Sequence, residues 1–131
     1  MKKNKIIFWT ATIILILWEG AMPLGTVLFA PEYATVGTAA LGYPDYFAYA
    51  LIFCKVLGVI AISLPNLPAK IKEWAYAGLA FNLIFAFISH AFVDQNIGFM
   101  LMPLVFLGIL AVSYIYNNRI RNYKLNHQKI D

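Results

Sequence analysis

The chain reads as an all-α integral membrane protein, a four-helix bundle whose helices alternate in direction with both termini in the cytoplasm. Composition is the first observation: of 131 residues, 62% are hydrophobic and 12% charged, whereas a soluble domain is roughly half apolar and a quarter charged. The second is the placement of the cations. Lys2, Lys3, Lys5, Lys70, Lys72, Arg119, Arg121, Lys124 and Lys129 fall at the N-terminus, in one short loop and in the C-terminal segment, leaving Lys55 alone inside an apolar stretch. Cytoplasmic flanks collect Lys and Arg and translocated loops do not, so this distribution predicts four crossings. The third is length, which accommodates four spans of about 20 residues each, one sizeable loop and a tail in a single domain.

The first span is expected over about residues 6–23. Its basic start imitates a secretion signal, but the apolar run exceeds the roughly 7–15 residues of a signal core, carries Glu19 and passes into Pro23. The segment 24–45 follows outside. Pro31 suits the first turn of a helix and Glu32 complements its dipole, so a short amphipathic helix over Glu32–Leu41, ended by Gly42 and Pro44, is expected; an irregular Gly-rich loop is the alternative. The second span covers about 46–64 and closes at Pro65-Asn66-Leu67-Pro68, a turn that cannot continue a helix. The third runs over about 72–92 and the fourth over about 99–117, with a basic cytoplasmic tail at 118–131. Short connections make neighbouring spans helical hairpins. Outside the membrane the charges are Glu32, Asp45 and Asp94, all acidic.

Ionisable and amide side chains inside spans carry the functional information, because a charge near the bilayer centre costs about 2.5–3.5 kcal/mol on insertion scales. At a helical rise of about 1.5 Å per residue, Glu19 lies roughly 20 Å from the inner boundary, Lys55 roughly 13 Å, Asn82 roughly 12 Å and His90 roughly 24 Å. All four fall between midplane and the outer edge. A Glu19–Lys55 ion pair is therefore expected, either as a lock between helices or as part of a site. His90, preceded by Ser89, is either an interfacial side chain or a proton-accepting or ligand-binding group. Asn82 suits interhelical hydrogen bonding.

Counting removes other chemistries. Cys54 is the single cysteine, so a catalytic dithiol, an internal disulfide and an iron–sulfur site are excluded. The second histidine, His127, belongs to the inner tail, against a bis-histidine haem. Glu19, His90 and Asp94 offer mixed metal ligands, but no helical pairing of the His-x-x-x-His kind supports them, and no metal or catalytic residue is assigned. Basic residues split among three flanks give no case for nucleic acid; those of the tail are attracted to anionic lipid instead.

Trp9, Trp18, Trp74, Tyr114, Tyr116 and Tyr123 lie mostly near span ends, where they anchor in the headgroup layer. Phe81, Phe85, Phe87, Phe92, Phe99 and Phe106 are candidates either for packing or for an apolar pocket. Gly58 and Gly78, with Ala61, Ala75 and Ala77, are expected to let helices approach closely at mid-to-inner depth. A bundle tight inside and open outside follows, with an outward-facing polar crevice beneath residues 24–45.

Leu41-Gly42-Tyr43-Pro44, Lys55-Val56-Leu57-Gly58, Lys72-Glu73-Trp74-Ala75-Tyr76-Ala77-Gly78 and Ser89-His90, in this order and spacing, resemble the DoxX-like membrane proteins over about Lys5 to Tyr116. Glu19-Gly20 with Pro23 is similar to one subgroup's first helix, where other relatives tend to place Ser-Gly. Asn82 departs from the acidic residue common in relatives. The resemblance implies a multi-pass protein of the bacterial inner membrane, in a family that includes small subunits linked to quinone-dependent sulfur oxidation and to membrane oxidoreductases. Distant animal relatives assist receptor assembly.

Two functions from different classes are thereby expected. One is a binding or accessory subunit, without independent catalysis, that holds a quinone or lipid among Glu19, Lys55, Asn82, Ser89 and His90 and partners a membrane oxidoreductase or a further copy of itself. The other is a structural or assembly factor without a ligand. A transporter fits less well, since four spans leave little room for alternating access and no inverted repeat is evident.

Overall fold

The computed structural model describes residues 2–65 and 67–130, without the side chains of Lys129 and Ile130. Asn66 of the double-proline turn and Lys129 and Asp131 of the basic tail thus lie, in whole or in side chain, outside the described residues. The fold is all-α: α1 (Lys2–Phe29), α2 (Val36–Ala40), α3 (Asp45–Ser63), α4 (Ala69–Phe92) and α5 (Ile97–Ile130). Four of these, all but α2, are long and apolar enough to cross a membrane.

The first helix does not stop at Pro23 as the sequence suggests but continues to Phe29. Residues Ile16–Ala21 form a π-helical segment, in which the Met22 backbone N–H donates to Leu17 O. Proline has no N–H to give the preceding turn and crowds it; the wider turn immediately before Pro23 accommodates that ring without ending the helix. Termination comes at Ala30, which is turned out of the helix (φ −143°) ahead of Pro31, as the residue before a proline prefers.

The expected helix over Glu32–Leu41 is split. Pro31–Tyr33 form a single 3₁₀ turn and Val36–Ala40 form α2. The end of α2 is a Schellman motif: Tyr43 N–H donates to Thr38 O at 3.1 Å and Gly42 N–H to Ala39 O at 3.0 Å. Gly42 takes φ +91°, which explains glycine at that position. Pro44 then caps α3, so the Leu41-Gly42-Tyr43-Pro44 run is a hinge that redirects the chain and fixes Tyr43.

Leu64 is extended before Pro65 and closes α3, and α4 starts at Ala69, a turn earlier than expected. At the α4–α5 connection Gln95 has φ +52°, and the Asn96 Oδ1 accepts the Phe99 N–H at 3.1 Å as an N-cap. The basic segment from 118 onward, expected as a tail, is a helical continuation of α5. Pairs at helical spacing support it: Arg121 Nη2 donates to Asn118 Oδ1 at 2.9 Å, and Tyr123 stacks on His127 at 3.9 Å.

Leu15, Val59, Ile62, Tyr76, Leu79, Leu83 and Leu110 form the core, drawn from the four long helices. Two glycines bring helices together: a Cβ on Gly20 would sit 2.5 Å from Val59 Cγ2, and one on Gly58 would sit 3.1 Å from Leu79 Cγ. Gly78 departs from the expected close approach, because a Cβ there meets nothing within 4 Å. A buried hydroxyl relay, absent from the sequence reading, ties α1, α4 and α5. Ser113 Oγ lies 2.8 Å from Thr12 Oγ1 and 2.7 Å from the Tyr76 hydroxyl.

Candidate functional site

A cavity of about 860 Å³ opens among α1, the 31–43 segment, α3, α4 and α5. Gly78 lies on its wall, which is why that glycine has no neighbour: the missing side chain leaves cavity, not contact. Apolar groups dominate the lining. Of the candidate phenylalanines, Phe81, Phe85 and Phe99 border it, joined by Phe47, while Phe87, Phe92 and Phe106 do not. Trp18 borders the cavity and stacks on Phe106 with centroids 4.8 Å apart.

Glu19 belongs to the π-helical segment and is 2% exposed. Lys55 Nζ lies 3.1 Å from its Oε2. Asn82 Nδ2 donates to the same oxygen, also at 3.1 Å. One carboxylate, one ammonium and one amide from α1, α3 and α4 thus converge, and their formal charges cancel. Partnering of this kind is what makes ionisable groups tolerable at membrane depth. The ammonium carries three hydrogens and uses one on Glu19, so Lys55 keeps further donors beside the cavity that it lines.

Ser89 and His90 border the same cavity but hold different partners. Ser89 Oγ shares a 2.7 Å hydrogen bond with the Tyr43 hydroxyl, whose ring stacks on Phe47 at 4.6 Å. Through that bond α4 holds the segment that closes the cavity. Tyr43 was not singled out as a site residue; its signal was its position between a turn glycine and a helix-capping proline. His90 Nδ1 lies 2.8 Å from Asp94 Oδ2. The hydrogen bond with His90, and secondarily the Asn96 N–H, hold the exposed Asp94 carboxyl below the usual carboxylate range. Among the described residues no group of three His, Cys, Asp or Glu side chains is placed to hold a metal. Cys54 is exposed and does not border the cavity.

The sequence profile of the DoxX-like family matches residues 7–113. The chain belongs to the DoxX-like family. No curated protein and no solved structure matches it. Within this DoxX-like chain the matched span contains Glu19, Lys55, Asn82, Ser89 and His90 and ends at Ser113, the centre of the hydroxyl relay.

Proposed function

We propose that this DoxX-like protein is a small binding subunit of the bacterial inner membrane, without catalysis of its own, whose cavity holds a neutral lipophilic molecule, a quinone or a lipid. The observation that carries the reading is the Glu19–Lys55–Asn82 cluster in the wall of a mainly apolar cavity. An internally compensated cluster favours an uncharged guest, and apolar walls with a few convergent polar groups are the usual form of a small-molecule site. Lys55 offers donors on one wall, and His90 retains a second ring nitrogen beyond the one facing Asp94. Lys55 suits a carbonyl of a quinone, and His90 Nε2, an acceptor when Nδ1–H is given to Asp94, suits a hydroxyl of the reduced quinol; such a guest would link the protein to a membrane redox system and to an oxidoreductase partner. The helices run alternately across the bilayer with both termini cytoplasmic, in one domain. Lys5, Lys72, Arg121 and Lys124 border one shared cavity, consistent with one cation-rich cytoplasmic end.

The test uses Trp18, the tryptophan that borders the ligand cavity. Titrating a short-chain ubiquinone into the detergent-solubilised full chain should quench fluorescence saturably, and Trp18→Phe should remove the saturable component. Quenching that rises linearly, or survives Trp18→Phe unchanged, sinks the quinone reading. The same linear result with synthetic lipid analogues would leave the family's other role, assembly of a larger complex without a ligand.

A further inference from the structure

A second cavity, of about 600 Å³, lies at the other end of the bundle, bordered by the start of α1, by Ser63, Pro65, Leu67 and Ala69, by Lys72 of α4 and by the late part of α5. Among the described residues its charges are Lys5, Lys72, Arg121 and Lys124, with no acidic residue on its walls. None of the four lies within ion-pair distance of a carboxylate among the described residues. The neighbouring acid Glu73 is engaged elsewhere, accepting the Tyr114 hydroxyl at 2.9 Å.

Two of the four cations lack adequate partners, Lys72 buried as a whole and Arg121 half-buried with one buried nitrogen. Lys72 is 6% exposed, and its Nζ finds only long contacts, 3.4 Å to Ile62 O and 3.4 Å to Asn117 Oδ1, with the Phe8 ring centroid 6.0 Å away. Arg121 gives Nη2 to Asn118, while its buried Nη1 has no hydrogen-bond partner. A buried donor left unpaired is costly, and buried positive charge without a counter-charge more so. An arrangement of this kind is stabilised by an anion from outside the chain. The geometry of a guanidinium beside ammonium groups matches phosphate oxygens, and basic pockets between membrane helices recognise lipid headgroups. Trp9 and Leu125 on the same walls add apolar surface beside the cations.

We infer that this cavity is a binding site for a phosphate-bearing anion, held by Lys72 and Arg121 from within and by Lys5 and Lys124 from the rim. The inference is independent of the ligand cavity at the opposite end, and neither outcome below bears on that site.

Native mass spectrometry of the full chain in mild detergent tests it, with phosphatidylglycerol as probe, phosphatidylcholine as the zwitterionic control and inorganic phosphate as competitor. Phosphatidylglycerol should bind preferentially, and Arg121→Gln with Lys124→Gln should weaken it roughly tenfold or more. Lys2→Gln with Lys3→Gln removes equal charge outside the cavity and should change binding by less than about twofold. Displacement by inorganic phosphate would assign the site to a soluble phosphate compound, and resistance to it would assign the site to lipid. Equal binding of the two lipids with no displacement by phosphate, or equal losses in the two double variants, would overturn the site.

Discussion

The two cavities differ in how their charges are balanced. At one, Glu19 offsets Lys55 and Asn82 donates to the same carboxylate oxygen, so the charges are balanced before any guest arrives. At the other, four cations share walls without an acid among the described residues, and the buried Arg121 Nη1 has no partner among them. The difference teaches that a buried charge alone does not identify a ligand. Its compensation does: a neutralised cluster in apolar walls suits a neutral lipophile, and an uncompensated one suits an anion.

Breaking the compensation should give the largest effect. Lys55→Met leaves Glu19 buried without its cation and should cost about 3 kcal/mol, the lower end for a broken buried pair. Adding Glu19→Gln should return stability to within about 1–2 kcal/mol of the starting protein, as read by denaturant unfolding in detergent. Additive losses would mean that the two side chains do not form a unit. A smaller contrast separates packed wall from open wall. Gly20→Ala drives a Cβ into Val59 and should cost about 1–3 kcal/mol. Gly78→Ala meets open space and should be neutral or stabilising by up to about 1 kcal/mol, since alanine favours helix. Equal costs for both would contradict the placement of the cavity.

Smaller again is the effect of breaking the hydroxyl relay. Ser113→Ala strands the Thr12 and Tyr76 hydroxyls together and should cost about 1–2 kcal/mol. Ser89→Ala releases only Tyr43 and should cost about 0.6 kcal/mol, the average for an intramembrane hydrogen bond. The smallest effect is pH-dependent. Because the folded protein holds the Asp94 carboxyl below its ordinary value, its contribution is present above the unfolded value, near 4. It fades as pH falls through the lower folded value. Thermal stability should therefore dip slightly on acidification below about pH 4, and Asp94→Asn should flatten that part of the profile.

The membrane class and the number of long helices were readable because hydropathy and cation placement are properties of segments, independent of fine geometry. The Glu19–Lys55 contact was readable for a related reason: two charges at similar depth in consecutive helices have few other partners. Reading failed where neighbours decide. Pro23 looks like a terminator, yet a π turn absorbs it, and nothing in the local composition of Ile16–Ala21 announces that turn. Gly78 resembles a packing glycine and is a cavity wall, a distinction that depends on what stands opposite. Lys72 looked like one more flank cation. Its burial at 6% exposure depends on Phe8, Asn117 and Ile62 converging from three separate helices.

The central claim, that the Glu19–Lys55–Asn82 cavity holds a neutral lipophilic guest, is tested most directly by identifying small molecules that co-purify with the full chain and with Gly78→Phe. That substitution projects a ring into the cavity from a position with nothing within 4 Å of its Cβ. The account predicts a quinone or lipid retained at near one equivalent by the unaltered protein and lost from a folded Gly78→Phe variant. The same molecule at the same occupancy in both proteins, or none in either, would contradict it.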